Sequence, residues 1–312
     1  MVALTKIYKN FNIETRHKNS IVLIGNFDGV HKGHQSVISE IISKSKKTKL
    51  KNAVMSFTPH PKIFFGYTKD IFNIITKEEK LNLLNKMGID IYIDFDFDEQ
   101  LSNLTAEEFI KDIILKNLKV RKIIVGSDFK FGKDRKGNLE TLKLLSTKLN
   151  FELVEINILN IDNTKVKYSS SLIRESIMTG NFKEVSQMLG RAWSMAGKII
   201  KGDQKARQIN FPTANMKPQN TILPKRGVYC VNASINSESY KAVANFGYRP
   251  TVNGSELLLE THLFDFNEDI YGKELTVEFL AFIRSEKKFN NFEELTKQIQ
   301  KDINKAKNYH QI

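Results

Sequence analysis

Near Arg191 the chain changes its pattern, and that change limits what it can fold into more than any single residue does. Before it, apolar runs at residues 21–24, 53–57, 91–95, 122–125 and 151–156 alternate with stretches of helical period. Two of those helices carry a clear start signal, Thr76-Lys77-Glu78-Glu79 and Thr105-Ala106-Glu107-Glu108, in which a hydroxyl caps the helix and a glutamate reaches back. Strand–helix alternation implies a parallel sheet with helices on both faces. Two more helices, at 170–178 and 182–189, close this half. Beyond it, β-type runs at 193–200, 227–233, 241–246, 257–264 and 275–283 are divided by turns such as Lys201-Gly202-Asp203 and Asn253-Gly254. Short strands spaced this way predict a compact β-barrel or sandwich, and residues 292–303 predict a closing amphipathic helix. A chain of 312 residues has room for both units. The expected division is 1–187 and 188–312.

The stretch that carries the most chemistry is Gly25-Asn26-Phe27-Asp28-Gly29-Val30-His31-Lys32-Gly33-His34-Gln35, directly after the apolar run Ile21-Val22-Leu23-Ile24. It reads as a buried strand, a glycine-punctuated turn and a helix whose apolar face is Val37, Ile38, Ile41 and Ile42. A helix N-terminus presents unpaired backbone N–H groups and the positive end of the helix dipole, which suits an anion. Imidazoles at His31 and His34 can hydrogen-bond phosphate oxygens there, and Gly33 lets the backbone approach them. Such a cluster stabilises charge on a phosphoryl group in flight. Zinc is a poor fit, because no third and fourth ligand stands at usable spacing.

Composition narrows the partners. The net charge of +13 favours acidic ligands. The lysines are scattered through a chain rich in Lys, Asn and Ile, so the charge reads more as coding bias than as a nucleic-acid patch. The single cysteine, Cys230, excludes an intrachain disulfide and suits a reducing cytoplasm. No apolar run reaches membrane-spanning length, and the first residues lack an apolar signal core. The expectation is a cytoplasmic protein that binds small nucleotides, with no membrane and no nucleic acid as partners.

Five further features bear on function, each with a structural alternative. Ser56-Phe57-Thr58-Pro59-His60-Pro61 ends the second strand, where it either reaches the ligand crevice or forms a rigid loop. Gly126-Ser127-Asp128-Phe129-Lys130-Phe131-Gly132 is a ligand-covering turn, or Phe129 and Phe131 are core plugs. Ser169-Ser170-Ser171-Leu172-Ile173-Arg174 sets hydroxyls at a helix start, which capping explains, and an arginine one turn on, which it does not. Arg174 there suits bidentate clamping of a triphosphate. In the second half, Thr213 and Asn215 of Pro212-Thr213-Ala214-Asn215 lie two apart on one face of an extended strand, as hard-cation ligation of Mg²⁺ needs, or the motif is just a turn leading into a strand. Glu260 interrupts an apolar strand, either paired structurally or acting as a base for a hydroxyl.

The ordered series GNFDGVHKGHQ, SFTPHP, GSDFKFGKDRKG, SSSLIRES, GDQKARQINFPTAN, NFGYRPTVNG, LETHLFDFNEDIYG and FIRSEKKF resembles the bacterial bifunctional riboflavin kinase/FMN adenylyltransferases, or FAD synthetases. The resemblance covers essentially the whole chain. It implies an α/β nucleotidyltransferase-like (Rossmann-like) N-terminal domain plus a C-terminal six-stranded β-barrel with a terminal helix. The barrel would phosphorylate riboflavin with ATP. The first domain would move AMP from a second ATP onto FMN, giving FAD and pyrophosphate, with Mg²⁺ as the metal.

Carried over position by position, the resemblance implies that His31 and His34 hold the ATP phosphates, with Asn26, Asp28 and Gly33 shaping the turn. Ser169, Ser170 and Arg174 would bind the triphosphate tail, and Asp128 would sit in a nucleotide or flavin loop. In the barrel, Thr213 and Asn215 match magnesium–ATP residues and Glu260 the catalytic base. Gly202, Arg207 and Arg284 match ATP or flavin contacts of the kinase. Three positions depart from the family pattern. Ala206 and Asn210 replace glycines of the kinase loop, and Ala tolerates a left-handed backbone less well than Asn. Lys130 stands where arginine is common, which keeps charge but loses a bidentate fork. Both activities are expected. The rival readings are an adenylyltransferase whose barrel only binds flavin, and a flavin- or nucleotide-sensing regulator that binds nucleic acid. The latter lacks a helix-turn-helix or RNA-binding motif.

Overall fold

The computed structural model describes residues 4–68, 71–127, 129–156, 168–200, 211–236, 238–251 and 254–312. It divides into two compact units, one of residues 1–72 and 76–169, the other of 73–75 and 170–312.

The first unit is a parallel sheet. Its strands are β1 (Lys6–Lys9), β2 (Ile21–Ile24), β3 (Asn52–Thr58), β4 (Ile91–Asp96), β5 (Lys122–Gly126) and β6 (Glu152–Ile156), in spatial order β1-β4-β3-β2-β5-β6. Every pair is parallel. The helices between them are α1 (Lys32–Thr48), α2 (Pro61–Phe64), α3 (Lys77–Met87), α4 (Glu99–Asn103), α5 (Ala106–Glu108) with a wider turn over Phe109–Asn117, and α6 (Leu139–Leu149). All four residues of β2 are buried, which is why its sequence is continuously apolar. Val22 and Ile24 join one core with Ile93, Val125 and Phe131. From β2 the chain steps to β3 and β4 on one side, then returns to β5 and β6 on the other. Strand order therefore reverses between β2 and β5, the switch point beyond whose carboxyl ends open α/β sheets bind ligands.

The start signals act as their residues dictate. Thr76 caps α3 by accepting from the Glu79 N–H at 3.1 Å. Thr105 and Glu108 form a reciprocal capping box. Edge strand β1 was not expected from the sequence; its four residues are mostly exposed and polar, with Ile7 54% exposed.

The second unit is an antiparallel sheet of β7 (Trp193–Lys198), β8 (Ala214–Met216), β9 (Gly227–Ile235), β10 (Glu238–Thr251), β11 (Gly254–Leu263) and β12 (Glu274–Ser285), in order β7-β12-β9-β10-β11-β8. Its two edges meet where the Ile200 N–H donates to the Asn215 carbonyl at 2.8 Å, so the six strands close into a barrel. Register shifts in β12 opposite β9 help it curl. At Gly227 a Cβ would lie 2.1 Å from the Arg284 carbonyl oxygen, so only glycine fits that close approach.

Helices α7 (Ser170–Thr179) and α8 (Phe182–Leu189) belong to this unit. Phe182 stacks on Trp193 and Phe279 at 5.8 and 5.1 Å and meets the Tyr229 ring edge-on. The Trp193 indole donates to the Ile74 carbonyl at 2.7 Å, tying residues 73–75 into the same core. Helix α9 (Phe292–His310) runs seven residues past the expected end and packs Ile303 and Ala306 against Val228, Cys230 and Val243.

Candidate active sites

The turn between β2 and α1 lies at the switch point of the first sheet. Its backbone is tightly wound, with Phe27, Gly29 and Val30 all at positive φ (50°, 82° and 43°). A β-branched residue in that region is strained, and such strain persists only where surrounding contacts enforce it. The enforcing contacts are visible. The Ser56 hydroxyl donates to the Gly25 carbonyl at 2.8 Å, the Gln35 amide to the Val30 carbonyl at 2.8 Å, and the Lys80 ammonium of α3 to the Asn26 carbonyl at 3.1 Å.

His31 caps α1: its Nδ1 accepts from the His34 backbone N–H at 3.2 Å. In a neutral His31 ring the proton therefore sits on Nε2. The two imidazoles stack, centroids 3.6 Å apart and 17° from coplanar, with Phe27 edge-on to His34 and Tyr168 6.5 Å from His31. Burial, then the neighbouring His31 and Lys80, push the His34 pKa well below the usual histidine value. His34 is thus a neutral imidazole in this site. Its Nδ1 and the Asn26 Oδ1 are both buried without a hydrogen-bond partner, so two polar atoms of the motif await something. Asp28 and His31 are also buried, as is Gly33 in the first turn of α1.

Behind the turn stands a charged cluster that reading the sequence did not reveal. Asp94, at the carboxyl end of β4, is 1% exposed and accepts from Lys77 at 2.5 Å, Thr58 at 2.7 Å and Lys9 at 3.2 Å. Burial pushes its carboxyl up, but these bonds outweigh burial and hold it below the usual carboxylate range. The Lys80 ammonium lies 5.8 Å from the Tyr92 ring; burial lowers its pKa against the pull of Asp28 and Asp94.

Ser169 precedes α7 and Ser170 opens it, and Arg174, one turn on, is 7% exposed. Phe129 and Phe131 stack at 5.3 Å, and Phe131 is buried in the core of the sheet. His60 of the SFTPHP segment caps α2, accepting from the Lys62 N–H. Asp128, Gly202 and Arg207 lie outside the described residues, as do Ala206 and Asn210.

In the barrel, Glu260 of β11 pairs across the sheet with Asn245 of β10 on one side and Asn215 of β8 on the other. Directly opposed residues share a face, so three polar side chains make a row across three strands. Asn215 is buried, and its amide donates to the Thr213 carbonyl at 3.4 Å, which draws Thr213 to the end of that row. Glu260 is ion-paired with Arg249 of β10, its side chain 15% exposed. Arg249 stands in the NFGYRPTVNG motif but was not singled out; the pairing needs the β10–β11 register to be known. Burial lowers the pKa of His262 of the same strand, whose Nδ1 donates to the Pro212 carbonyl at 2.8 Å. Arg284 is engaged elsewhere: its Nε and Nη2 fork onto Asp302 of α9 at 2.7–3.0 Å.

A helix N-terminus bearing two imidazoles at the switch point of a parallel sheet, with a polar row on a closed barrel, defines a two-part enzyme of nucleotide and phosphoryl transfer. The comparisons with known proteins name the two parts. Residues 13–171 match the FAD synthetase family and residues 189–310 the riboflavin kinase family. The bifunctional riboflavin kinase/FMN adenylyltransferase of Bacillus subtilis is 37% identical over 303 residues, covering 95% of this chain and 94% of that one. Its counterpart from Haemophilus influenzae is 36% identical over 285 residues, covering 91% and 92%. A crystal structure described as a macrolide-efflux protein from Streptococcus pneumoniae superposes with a TM-score of 0.87 at 33% identity, covering 98% and 99%. Among the described residues no helix is long and apolar enough to cross a membrane. The chain belongs to the bifunctional riboflavin kinase/FMN adenylyltransferase family. It phosphorylates riboflavin to FMN and adenylylates FMN to FAD, with ATP as co-substrate of both reactions.

Proposed function

We propose that adenylyl transfer takes place at the β2–α1 turn and riboflavin phosphorylation on the polar row of the barrel. The observation that carries the first half is the stacked His31–His34 pair at the N-terminus of α1, which His31 caps. An FMN phosphate oxygen attacks the α-phosphorus of ATP, the bond to the β-phosphate oxygen breaks, and pyrophosphate leaves. Charge grows on the α-phosphoryl oxygens, where the helix N-terminus and imidazole N–H groups are worth most. A neutral His34 still carries one ring N–H, which can donate to those oxygens. Asn26, Asp28 and Gly33 keep the turn in shape. Ser169, Ser170 and Arg174 take the triphosphate tail, and Asp128 belongs to the nucleotide or flavin loop.

In the barrel, Glu260 accepts the proton of the ribityl 5′-hydroxyl as that oxygen attacks the γ-phosphorus of ATP, the bond from the γ-phosphorus to the bridging oxygen breaks, and ADP leaves with FMN formed. Gly202, Arg207 and Arg284 assist ATP or flavin binding. The fork between Arg284 and Asp302 supports a role in seating α9 beside the flavin rather than a direct contact. Thr213 and Asn215 offer neutral oxygens next to the Glu260 carboxylate, a donor set that fits Mg²⁺, which keeps several waters and takes few protein ligands. When bound, Mg²⁺ supplies neutralisation of the transferring phosphates. The functional boundary is 187/188, which lies between the two matched families. Flavin synthesis with a single buried cysteine fits the cytoplasm.

The test is the His34→Ala enzyme supplied with FMN, ATP and Mg²⁺. FAD and pyrophosphate formation falls about 100- to 1,000-fold, as for loss of one donor to a developing oxyanion, while riboflavin is still converted to FMN. Near-normal FAD formation by His31→Ala, His34→Ala together rules this site out.

A further inference from the structure

Among the described residues, Lys80 stands apart from the other lysines. It projects from α3, its ammonium next to a buried aromatic ring, in a place where burial disfavours its charge. A methionine would fill such a place without that cost. Its hydrogen-bond acceptor is not a carboxylate but the backbone carbonyl of Asn26, 54 residues earlier and inside the strained turn. Ser56 and Met55 of β3 also hold Gly25, and Gln35 of α1 holds Val30. The Lys80 bond ties the turn to α3. Its charge is offset by Asp28 and Asp94, the latter already anchored by Lys77 and Lys9.

We propose that Lys80 is a positioning residue for adenylyl transfer, clamping the Asn26 carbonyl so that the turn aims His31 and His34 at the α-phosphate. This rests on the assignment of those histidines to the transfer. The chemical reason is geometric. Three residues of the turn lie at positive φ, so the turn relaxes unless it is held from outside. A misplacement of about 1 Å at a reacting group costs on the order of 100-fold. The Lys80 charge also lies close to His34 and helps keep that imidazole neutral.

The experiment uses the full-length enzyme with Lys80→Met, which keeps volume but removes the donor, and Lys80→Arg, which retains a cationic donor. FAD formation from FMN and FMN formation from riboflavin are measured on each. With Lys80→Met, kcat for FAD formation is expected to fall about 10- to 100-fold, with KM for FMN within about threefold and riboflavin phosphorylation unchanged. Lys80→Arg is expected to regain most of the loss, and both variants to melt close to wild type. FAD formation by Lys80→Met near the wild-type rate overturns the proposal. So does a loss that Lys80→Arg shares in full, or one that appears in KM alone. His34→Ala measured in parallel separates the two claims. If it too retains FAD formation, the assignment of the site has failed; if it is inactive while Lys80→Met is active, only the role of Lys80 has.

Discussion

At Glu260 the ion pair with Arg249 and the proton transfer we propose draw on the same carboxylate. On that proposal, the 5′-hydroxyl of riboflavin has to share or displace Arg249. Glu260→Gln keeps shape and hydrogen-bonding reach but cannot take a proton. It should lower FMN formation by roughly 100-fold or more while FAD formation from added FMN stays at the wild-type level. A variant that instead loses stability and both reactions together would mark Glu260 as a structural partner of Arg249 only. His34 makes a second, independent prediction at this scale. Its folded pKa lies below its unfolded value, so above about pH 6.5 both states are neutral. As pH falls below that, the unfolded chain takes up a proton that the folded site refuses, and stability drops until the folded pKa is reached. The stability difference between wild type and His34→Ala should therefore narrow as pH is lowered from about 7.5 to about 5. Chemical denaturation at a series of pH values measures it, and a difference that widens on acidification contradicts a neutral His34.

Among the elements, α8 decides how the second unit can be cut. The sequence suggests a division at 187/188, yet Phe182 sits in the aromatic core with Trp193, Tyr229 and Phe279. A fragment of residues 170–312 should melt well above one of 189–312, because losing a buried phenylalanine costs about 3–5 kcal/mol. Circular dichroism melts of the two fragments measure this, and equal melting temperatures would show that the aromatic core does not depend on α8. What could be read from the sequence follows from periodicity. β2 and the start of α1 are continuous apolar and one-faced runs, so their residues and the turn between them were legible together. β1 and β8 are four and three residues long, too short for any period to show. The last turns of α9 carry mostly polar residues, with Ala306 the buried contact, so its apolar stripe fades before the helix does. The Glu260–Arg249 and Lys80–Asn26 contacts join residues that no local pattern links, and they appear only once register and packing are known.

At the scale of the whole molecule, one polypeptide carries two chemistries, which we assign to two separate scaffolds. A parallel sheet offers a switch point and a helix N-terminus, which suit binding and transfer of a nucleotidyl group. A closed antiparallel barrel offers a fixed cross-strand row, which suits a base held beside a metal–phosphate. Each unit has its own hydrophobic core. The most direct test of two sites is to supply riboflavin, ATP and Mg²⁺ to His34→Ala, to Glu260→Gln and to an equal mixture of the two, and to resolve FMN and FAD by chromatography. His34→Ala should accumulate FMN and make almost no FAD. Glu260→Gln should make neither from riboflavin but convert added FMN to FAD, and the mixture should make FAD from riboflavin. If either substitution abolishes both reactions, or if the mixture supplied with enough ATP and time makes no FAD, the division of chemistry between the two sites is contradicted.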